Sequence, residues 1–305
     1  AIALYAFCRL MDDIIDDGQD DEHIILQLQK RLDLIYAGTP MAVPADRALS
    51  EVVLQYSIPK ALLEALLEGF KWDKQGRQYE SIEALYDYAA RVAGSVGAMM
   101  CLIMGVKNER ALARACELGL AMQLTNIARD VGDDARNGRL YLPRTWLKEE
   151  GVDPDAWLLK PSFTPAIARV VNRLLKNADE LYARSQIGIG QLPRDCRAAI
   201  FAARLVYAQI GREIERHHLD SVSRRAVVSS MRKKILMIRS LGAFIYSKGD
   251  DHDLVPIRAI QYLVDASPKE SSNKKHTGSF EQRMICIIHI LEKAELHRMQ
   301  GHMQQ

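Results

Sequence analysis

The sequence predicts an all-α protein. Apolar residues recur at three- and four-residue spacing over long segments, whereas alternating β-branched runs are almost absent. Turn signals rich in Pro and Gly separate these segments, and no βαβ pattern or Gly-rich phosphate loop is present. The predicted helices span residues 2–17, 22–36, 46–56, 59–70, 81–105, 108–134, 165–188, 194–217, 222–246 and 280–300.

Composition bounds the class of protein. The 305 residues are 48% hydrophobic, which is enough for a large core and excludes wholesale disorder. The 41 basic and 39 acidic residues give a net charge of +2, so no nucleic-acid partner is expected. The five cysteines are scattered without a C-x-x-C pair, which favours reduced thiols and a cytoplasmic protein.

The chain divides into a helical domain at 1–246 and a divergent C-terminal tail at 247–305. A polar segment within the tail, residues 266–279, predicts a linker. No apolar run reaches transmembrane length. Because the chain starts inside the first helix without a capping residue, we expect a preceding segment to be missing.

The first helix carries a polar row on an otherwise apolar segment, "LYAFCRLMDDIIDD". Tyr5, Arg9, Asp12 and Asp16 follow one another at i, i+4, i+7 and i+11, so they share one helix face. The remaining positions are mostly Leu, Ile, Met and Phe. The row therefore faces something other than plain solvent or the core.

A second helix repeats this arrangement. In "LGLAMQLTNIARDVGDD", Gln123, Asn126, Asp130 and Asp134 form one stripe among apolar residues, and Arg129 precedes Asp130. A solvated face is the ordinary explanation of one such row. Two opposed rows would repel unless cations lay between them, and hard divalent ions such as Mg²⁺ prefer oxygen ligands. The pair of rows favours a metal and diphosphate site.

A third helix is rich in small residues, including Gly94 and Gly97 in "RVAGSVGAMM", and Gly119 lies on the second acidic helix. Glycine inside a helix costs up to about 1 kcal/mol relative to alanine. It is retained where a backbone or a ligand approaches closely, and the spacing leaves both explanations open. An apolar channel beside the acids would suit a diphosphate with a long hydrocarbon tail.

Several motifs together closely resemble the squalene/phytoene synthase family, and within it the bacterial phytoene synthases. They include "YAFCRLMDDIIDD", "GFKWDKQGRQYES", "RVAGSVGAMM" and "QLTNIARDVGDDARNGRLYLP", and the resemblance covers most of residues 1–240. It implies an isoprenoid-synthase helical bundle around a central cavity. The implied reaction is head-to-head condensation of two geranylgeranyl diphosphates, through prephytoene diphosphate, to phytoene in carotenoid biosynthesis.

The resemblance also implies roles for residues, which fall into a metal-binding set, a set around the reacting groups and a cavity wall. The metal-binding set, for Mg²⁺ or Mn²⁺, is Asp12, Asp16, Asn126, Asp130 and Asp134. The set near the diphosphates or the reacting cation is Tyr5, Arg9, Tyr88, Gln123, Arg129, Tyr207 and Arg225. The wall is Val92, Val96, Gly97, Met100, Ala115, Gly119 and Met122.

Two other functions remain open at this point. A squalene, dehydrosqualene or hydroxysqualene synthase acting on farnesyl diphosphate would share both acidic rows. A synthase-like assembly factor would not need its aspartates, so their retention disfavours it. Because the product is a hydrocarbon, we expect peripheral membrane association. Other enzymes of the carotenoid pathway are further expected partners.

Overall fold

A computed structural model describes residues 1–17, 21–243 and 255–268, and the side chains of 1–11, 23–240 and 255–268 within them. Those ranges contain helices, turns and irregular segments but no β-strand, which confirms the predicted all-α class. The α-helices are α1 (Ile2–Asp17), α2 (Asp21–Tyr36), α3 (Pro44–Tyr56), α4 (Lys60–Lys74), α5 (Ile82–Ala89), α6 (Ser95–Ile103), α7 (Glu109–Arg136), α8 (Arg144–Glu149), α9 (Pro154–Leu159), α10 (Pro165–Ile189), α11 (Arg194–Arg216), α12 (Ser230–Ala243) and α13 (Gln261–Ala266).

Helix α7 is the centre of the bundle. The Asn108 side chain caps it by accepting hydrogen bonds from the backbone N–H groups of Arg110 and Ala111. Seventeen of its 28 residues are buried, because α6, α10 and α11 pack around it. A helix enclosed in this way can place its polar residues only in an internal cavity or against buried partners.

The helix predicted at 81–105 is divided. Ala90–Gly94 form one turn of π-helix, here called the π-segment, between α5 and α6. The hydroxyl of Ser95, the first residue of α6, donates a 2.5 Å hydrogen bond to the Arg91 carbonyl of this turn. A π-turn inserts an extra residue per turn, so it rotates the side chains of α6 relative to those of α5. Such turns are frequent at functional sites.

The small residues allow the helices to approach closely. A Cβ atom at Gly97 would collide with the Ala115 carbonyl oxygen of α7. A Cβ at Gly119 would collide in the same way with the Ala93 carbonyl oxygen of the π-segment. Of the two explanations left open by the sequence, close backbone packing therefore applies to both glycines.

The chain differs from the predicted helix at 222–246. Helix α12 begins only at Ser230, and residues 217–229 form turns and an irregular loop. The Asp220 carboxylate accepts hydrogen bonds from the N–H groups of Val222 and Ser223, which holds the chain in a turn instead of a helix. The short helices α8 and α9 were not predicted, and the predicted helix at 280–300 lies outside the described residues.

Part of the segment assigned to the tail packs on the bundle. Ile260 and Leu263 are completely buried, and the Arg184 guanidinium donates a 2.6 Å hydrogen bond to the Val255 carbonyl. The boundary at 246 stays a prediction, as does the linker, most of which lies beyond the described residues. Among the helices described here, none is both long enough and apolar enough to span a bilayer.

Candidate active site

A polar cavity of about 430 Å³ lies beside the C-terminal half of α7. Helices α1, α4 and α5, the π-segment and the loops after α7 and α11 contribute the rest of its wall. The wall contains both acidic and basic side chains. Its charged and amide residues are Arg9, Asp73, Lys74, Gln123, Asn126, Asp130, Asp133, Asp134, Asn137, Arg139 and Arg225. Such a wall provides oxygen ligands for cations and guanidinium groups for a polyanion.

Asp130 is held between two arginines. Arg129 donates to both carboxylate oxygens, at 2.8 and 2.6 Å, and Arg225 donates to one of them at 2.7 Å. Burial alone would raise the pKa of Asp130, but the hydrogen bonds and charges of these arginines outweigh it and lower the pKa. Asp130 is therefore a carboxylate at neutral pH.

Arg225 reaches Asp130 because the loop after α11 lies directly on α7. The Gly132 N–H donates to the Ser221 carbonyl at 2.9 Å, and Arg136 donates to the Val222 carbonyl at 3.1 Å. A Cβ atom at Gly132 would collide with that Val222 carbonyl oxygen. Glycine at position 132 thus lets the loop come close enough to place Arg225 beside Asp130.

Three tyrosines surround a second carboxylate, Asp73. Tyr88 and Tyr141 donate hydrogen bonds of 2.8 and 2.7 Å to its two oxygens, and their ring centroids lie 5.3 Å apart. The Tyr79 ring completes the cluster, 5.2 Å from Tyr88. Burial and the charge of Asp73 raise the pKa of both Tyr88 and Tyr141. Both hydroxyls therefore stay protonated and donate at the edge of the cavity.

An apolar cavity of about 330 Å³ adjoins the polar one. Residues from α1, the π-segment, α6, α7, α10 and α11 form its wall. Val92, Gln123 and Asn126 line both cavities, so the two meet at these residues. A ligand with an anionic head and a hydrocarbon tail would match this division.

Comparison with known proteins identifies the family. The model of the squalene/phytoene synthase family matches residues 1–233. The chain is 52% identical over 245 residues to a protein from Cereibacter sphaeroides named phytoene synthase, covering 77% of this chain and 69% of the relative. It is 37% identical to a 15-cis-phytoene synthase of Pantoea ananas over 82% of this chain and 84% of that protein.

The chain belongs to the squalene/phytoene synthase family. Its fold is also similar to the crystal structure of a dehydrosqualene synthase in complex with ligand, with a TM-score of 0.70 and 30% identity. That similarity covers 80% of this chain and 85% of the other. Together with the helical bundle and its adjoining cavities, these matches confirm the predicted isoprenoid-synthase fold.

The structure brings most of the residues that the family resemblance singled out to these two cavities. Those on the polar cavity are Arg9, Tyr88, Gln123, Asn126, Asp130, Asp134 and Arg225. Those on the apolar cavity are Tyr5, Val92, Val96, Gly97, Met100, Ala115, Gly119, Met122 and Tyr207. Gly97 and Gly119 thus pack against backbone and also line a cavity, so both explanations of the small residues hold.

Three of the residues expected near the diphosphates or the reacting cation do not line the polar cavity. Tyr5 and Tyr207 line the apolar cavity. Arg129 lines neither cavity and instead contacts Asp130. Tyr207 reaches the apolar cavity from α11. The reason is its register: Ile200, Ala203 and Tyr207 share one face of α11, and that face forms part of the apolar wall.

Of the first acidic row, the structure describes the side chains of Tyr5 and Arg9. The side chains of Asp12 and Asp16 lie outside the described residues. Arg9, one helical turn before Asp12, lines the polar cavity. Within the part of the chain whose side chains are described, no three acidic, His or Cys side chains form a ready metal cluster.

Sequence reasoning missed several residues of the polar wall, chiefly Asp73, Tyr141 and Asp133. Asp73 and Tyr141 lie inside the motifs "GFKWDKQGRQYES" and "GRLYLP", which carried the family resemblance without any role for these two positions. The available signal was helical register, since Phe70, Asp73 and Lys74 share one face of α4. The pairing of Asp73 with Tyr141, 68 positions away, has no sequence signal.

Proposed function

We propose that this chain condenses two geranylgeranyl diphosphates head to head, through prephytoene diphosphate, to phytoene, and so acts in carotenoid biosynthesis as a prenyltransferase. The observation that carries the proposal is the junction at Val92, Gln123 and Asn126. There a charged cavity opens into an apolar one. The relatives named phytoene synthase support the choice of substrate and product.

The oxygen ligands of the polar cavity fit Mg²⁺, or Mn²⁺ in its place. Asn126, Asp130 and Asp134 would hold it from α7, and Asp12 and Asp16 would hold it from α1. When bound, the metal withdraws charge from the diphosphate, which makes ionisation of the allylic C–O bond easier. The described residues of this wall offer oxygen donors and no thiol, a donor set that is typical of sites for such ions.

The basic side chains bind and orient the substrate. Arg9, Lys74, Arg139 and Arg225 all line the polar cavity, where they can contact phosphate oxygens. Arg225 already donates to Asp130, so it connects the carboxylate to the diphosphate position. Binding the diphosphate in the polar cavity directs the allylic carbon towards the junction and the hydrocarbon tail into the apolar cavity.

The apolar wall protects the reacting carbocation from water. Most of its lining is Val, Ala, Gly, Leu and Ile, whose side chains carry no nucleophilic group. Tyr88, at the edge of the polar cavity, provides a ring face and a neutral hydroxyl to stabilise positive charge nearby. The released diphosphate would act as the base for the final proton loss.

The proposal is tested by product analysis. The purified protein is incubated with Mg²⁺ and either the C20 or the C15 diphosphate, and hydrocarbons are identified by mass. We expect the C40 product from the C20 substrate. We also expect turnover to stop on chelation with EDTA and to return with added Mg²⁺. A C30 product formed preferentially from the C15 substrate would favour the squalene or dehydrosqualene alternative, to which the fold similarity also points.

Absence of any hydrocarbon from a folded, metal-supplied protein would favour a synthase-like assembly factor.

Because phytoene is almost insoluble in water, we further propose that the chain works at a membrane surface as a peripheral protein. Contact there with other enzymes of the carotenoid pathway is part of the same proposal.

A further inference from the structure

Helix α12 exposes an apolar stripe. Met231 and Ile238 are 68% and 70% exposed, and Ile235 between them is 41% exposed. These positions follow i, i+4 and i+7, so they lie on one face of the helix. Leu236 and Ser240, on the opposite face, are buried, and α12 packs against α11. Among the residues that the structure describes, the helix is therefore partnered on one side and open on the other.

Basic residues flank this stripe on both sides. Lys234 and Arg239 are both exposed, and helical spacing places them at opposite edges of the row formed by Met231, Ile235 and Ile238. The sequence from 221 to 243 contains no acidic residue. Its basic residues are Arg224, Arg225, Arg232, Lys233, Lys234 and Arg239.

We propose that the exposed face of α12 is the surface by which this protein docks on a bilayer containing anionic lipids. Apolar side chains in the middle of a face, with cations along its edges, are arranged as in helices that lie in a membrane interface. The cations match the negative charge of lipid headgroups, while the apolar row enters the acyl boundary. The inference rests on the proposed function, whose hydrocarbon product needs a bilayer to leave into.

Charge favours this occupant over two others. A symmetric contact between two copies would bring Lys234 and Arg239 of each copy against those of the other, and like charges repel. A nucleic acid would contact cations at the centre of the face, but the centre here is Met231, Ile235 and Ile238. A bilayer matches both parts of the face, because its acyl region accepts the apolar centre and its anionic headgroups attract the basic edges.

The test measures co-sedimentation with lipid vesicles in the absence of any diphosphate. Vesicles of phosphatidylcholine alone are compared with vesicles that also contain phosphatidylglycerol. We expect binding only to the second kind, weakened by salt because Lys and Arg contribute electrostatically. The double variants Met231→Asp/Ile238→Asp and Lys234→Glu/Arg239→Glu should each lower the vesicle partition constant about tenfold or more.

The matched control is Leu54→Asp on α3, because Leu54 is exposed to almost the same extent, at 69%. This variant should bind vesicles like the unmodified protein. Circular dichroism confirms that each variant is folded. Undiminished vesicle binding by both double variants would overturn the inference. So would a monomer–dimer equilibrium that shifts in the double variants while vesicle binding stays the same, since α12 would then be a contact between copies.

Turnover is measured separately in detergent, where the product needs no bilayer. The α12 variants should retain full turnover there, because none of these residues lines either cavity. Failure of the proposed function would appear as missing product in detergent from the unmodified protein. Failure of the docking inference would appear only in the vesicle measurement, so the two results are distinguishable.

Discussion

At the scale of single residues, Asp130 is the carboxylate of the polar cavity that contacts two arginines. Its side chain is only 12% exposed and accepts hydrogen bonds from Arg129 and Arg225. Removing the carboxylate would leave both guanidinium groups without the counter-charge that they share at this position. The same carboxylate is a proposed metal ligand, so a substitution of Asp130 should affect both the free energy of unfolding and turnover.

We expect Asp130→Asn to lower turnover about 100-fold or more, the scale of losing a group that stabilises developing charge. Thermal unfolding should also show a loss of about 3 kcal/mol, because two arginines lose their counter-charge. Glu109→Gln is the control, since it removes an exposed carboxylate from the same helix. Turnover of Asp130→Asn equal to that of the control would contradict the proposed metal site.

Buried tyrosines outside the site should make the free energy of unfolding fall at alkaline pH. Tyr86 donates to Asn177, and burial raises its pKa to about 12. Tyr182 lies 3.0 Å from the Thr125 hydroxyl, and burial raises its pKa further still. An unfolded tyrosine ionises near pH 10. Because the pKa of each tyrosine is higher in the folded than in the unfolded protein, its contribution to the free energy of unfolding is complete below pH 10. That contribution is lost as the pH rises through the folded pKa.

The free energy of unfolding should be insensitive to these groups up to about pH 10 and then fall by about 1.4 kcal/mol per pH unit for each. Urea unfolding over this pH range measures the slope. Tyr182→Phe should lose about 1 kcal/mol at neutral pH, the value of one hydrogen bond, but should have a shallower alkaline slope. An unchanged slope in Tyr182→Phe would show that this tyrosine does not contribute.

At the scale of elements, the contact between α7 and the π-segment sets the shape of both cavities. Val92 belongs to the π-segment, whereas Gln123 and Asn126 belong to α7, and these three form the junction. The two elements approach backbone to backbone at Gly119 and Ala93. A change in their separation would move the junction residues relative to each other.

We therefore expect Gly119→Ala to lower the free energy of unfolding by about 1–3 kcal/mol, because its methyl group would collide with the Ala93 carbonyl. It should also reduce turnover by shifting the junction. Gly211→Ala is the matched control, because its methyl group would meet only a Leu175 methyl at 3.3 Å while gaining helix propensity. Chemical denaturation compares the two, and equal stability would argue against the tight crossing.

At the scale of the whole molecule, the folded unit extends beyond the part that matches the family model. That match ends at 233, yet residues 255–268 pack on the bundle. Leu263 is completely buried, and its methyl group would lie 3.3 Å from a Cβ at Gly94 of the π-segment. The Tyr262 ring lies 5.4 Å from the Arg91 guanidinium carbon, in a cation–π contact. This segment therefore supports the π-segment from outside.

Truncating this contact should destabilise the whole domain. We expect Leu263→Ala to cost about 2–5 kcal/mol, as large-to-small changes in a core do. Val255→Ala should stay within about 0.5 kcal/mol, because Val255 is 78% exposed. Differential scanning calorimetry of both variants tests this expectation. A melting temperature of Leu263→Ala that equals that of Val255→Ala would mean that residues 255–268 are not part of the cooperative unit.

The sequence by itself determined the helical class and the family, and most of the residues singled out from it lie on the two cavities. Helical period fixes which side chains share a face, so Asn126, Asp130 and Asp134 could be placed together without coordinates. The apolar surroundings of that row showed that the face is internal. The placement of these three residues uses only neighbours within one helix.

Tertiary structure decided what depends on contacts between distant segments. Asp73 meets Tyr88 and Tyr141 only because α4, α5 and the loop after α7 come together, and Arg225 meets Asp130 only because its loop lies on Gly132. The π-turn interrupts a segment whose periodicity predicts one continuous helix, and the Asp220 hydrogen bonds hold the chain before α12 in a turn. Local propensity differs by only about 1 kcal/mol per residue, so such contacts readily override it.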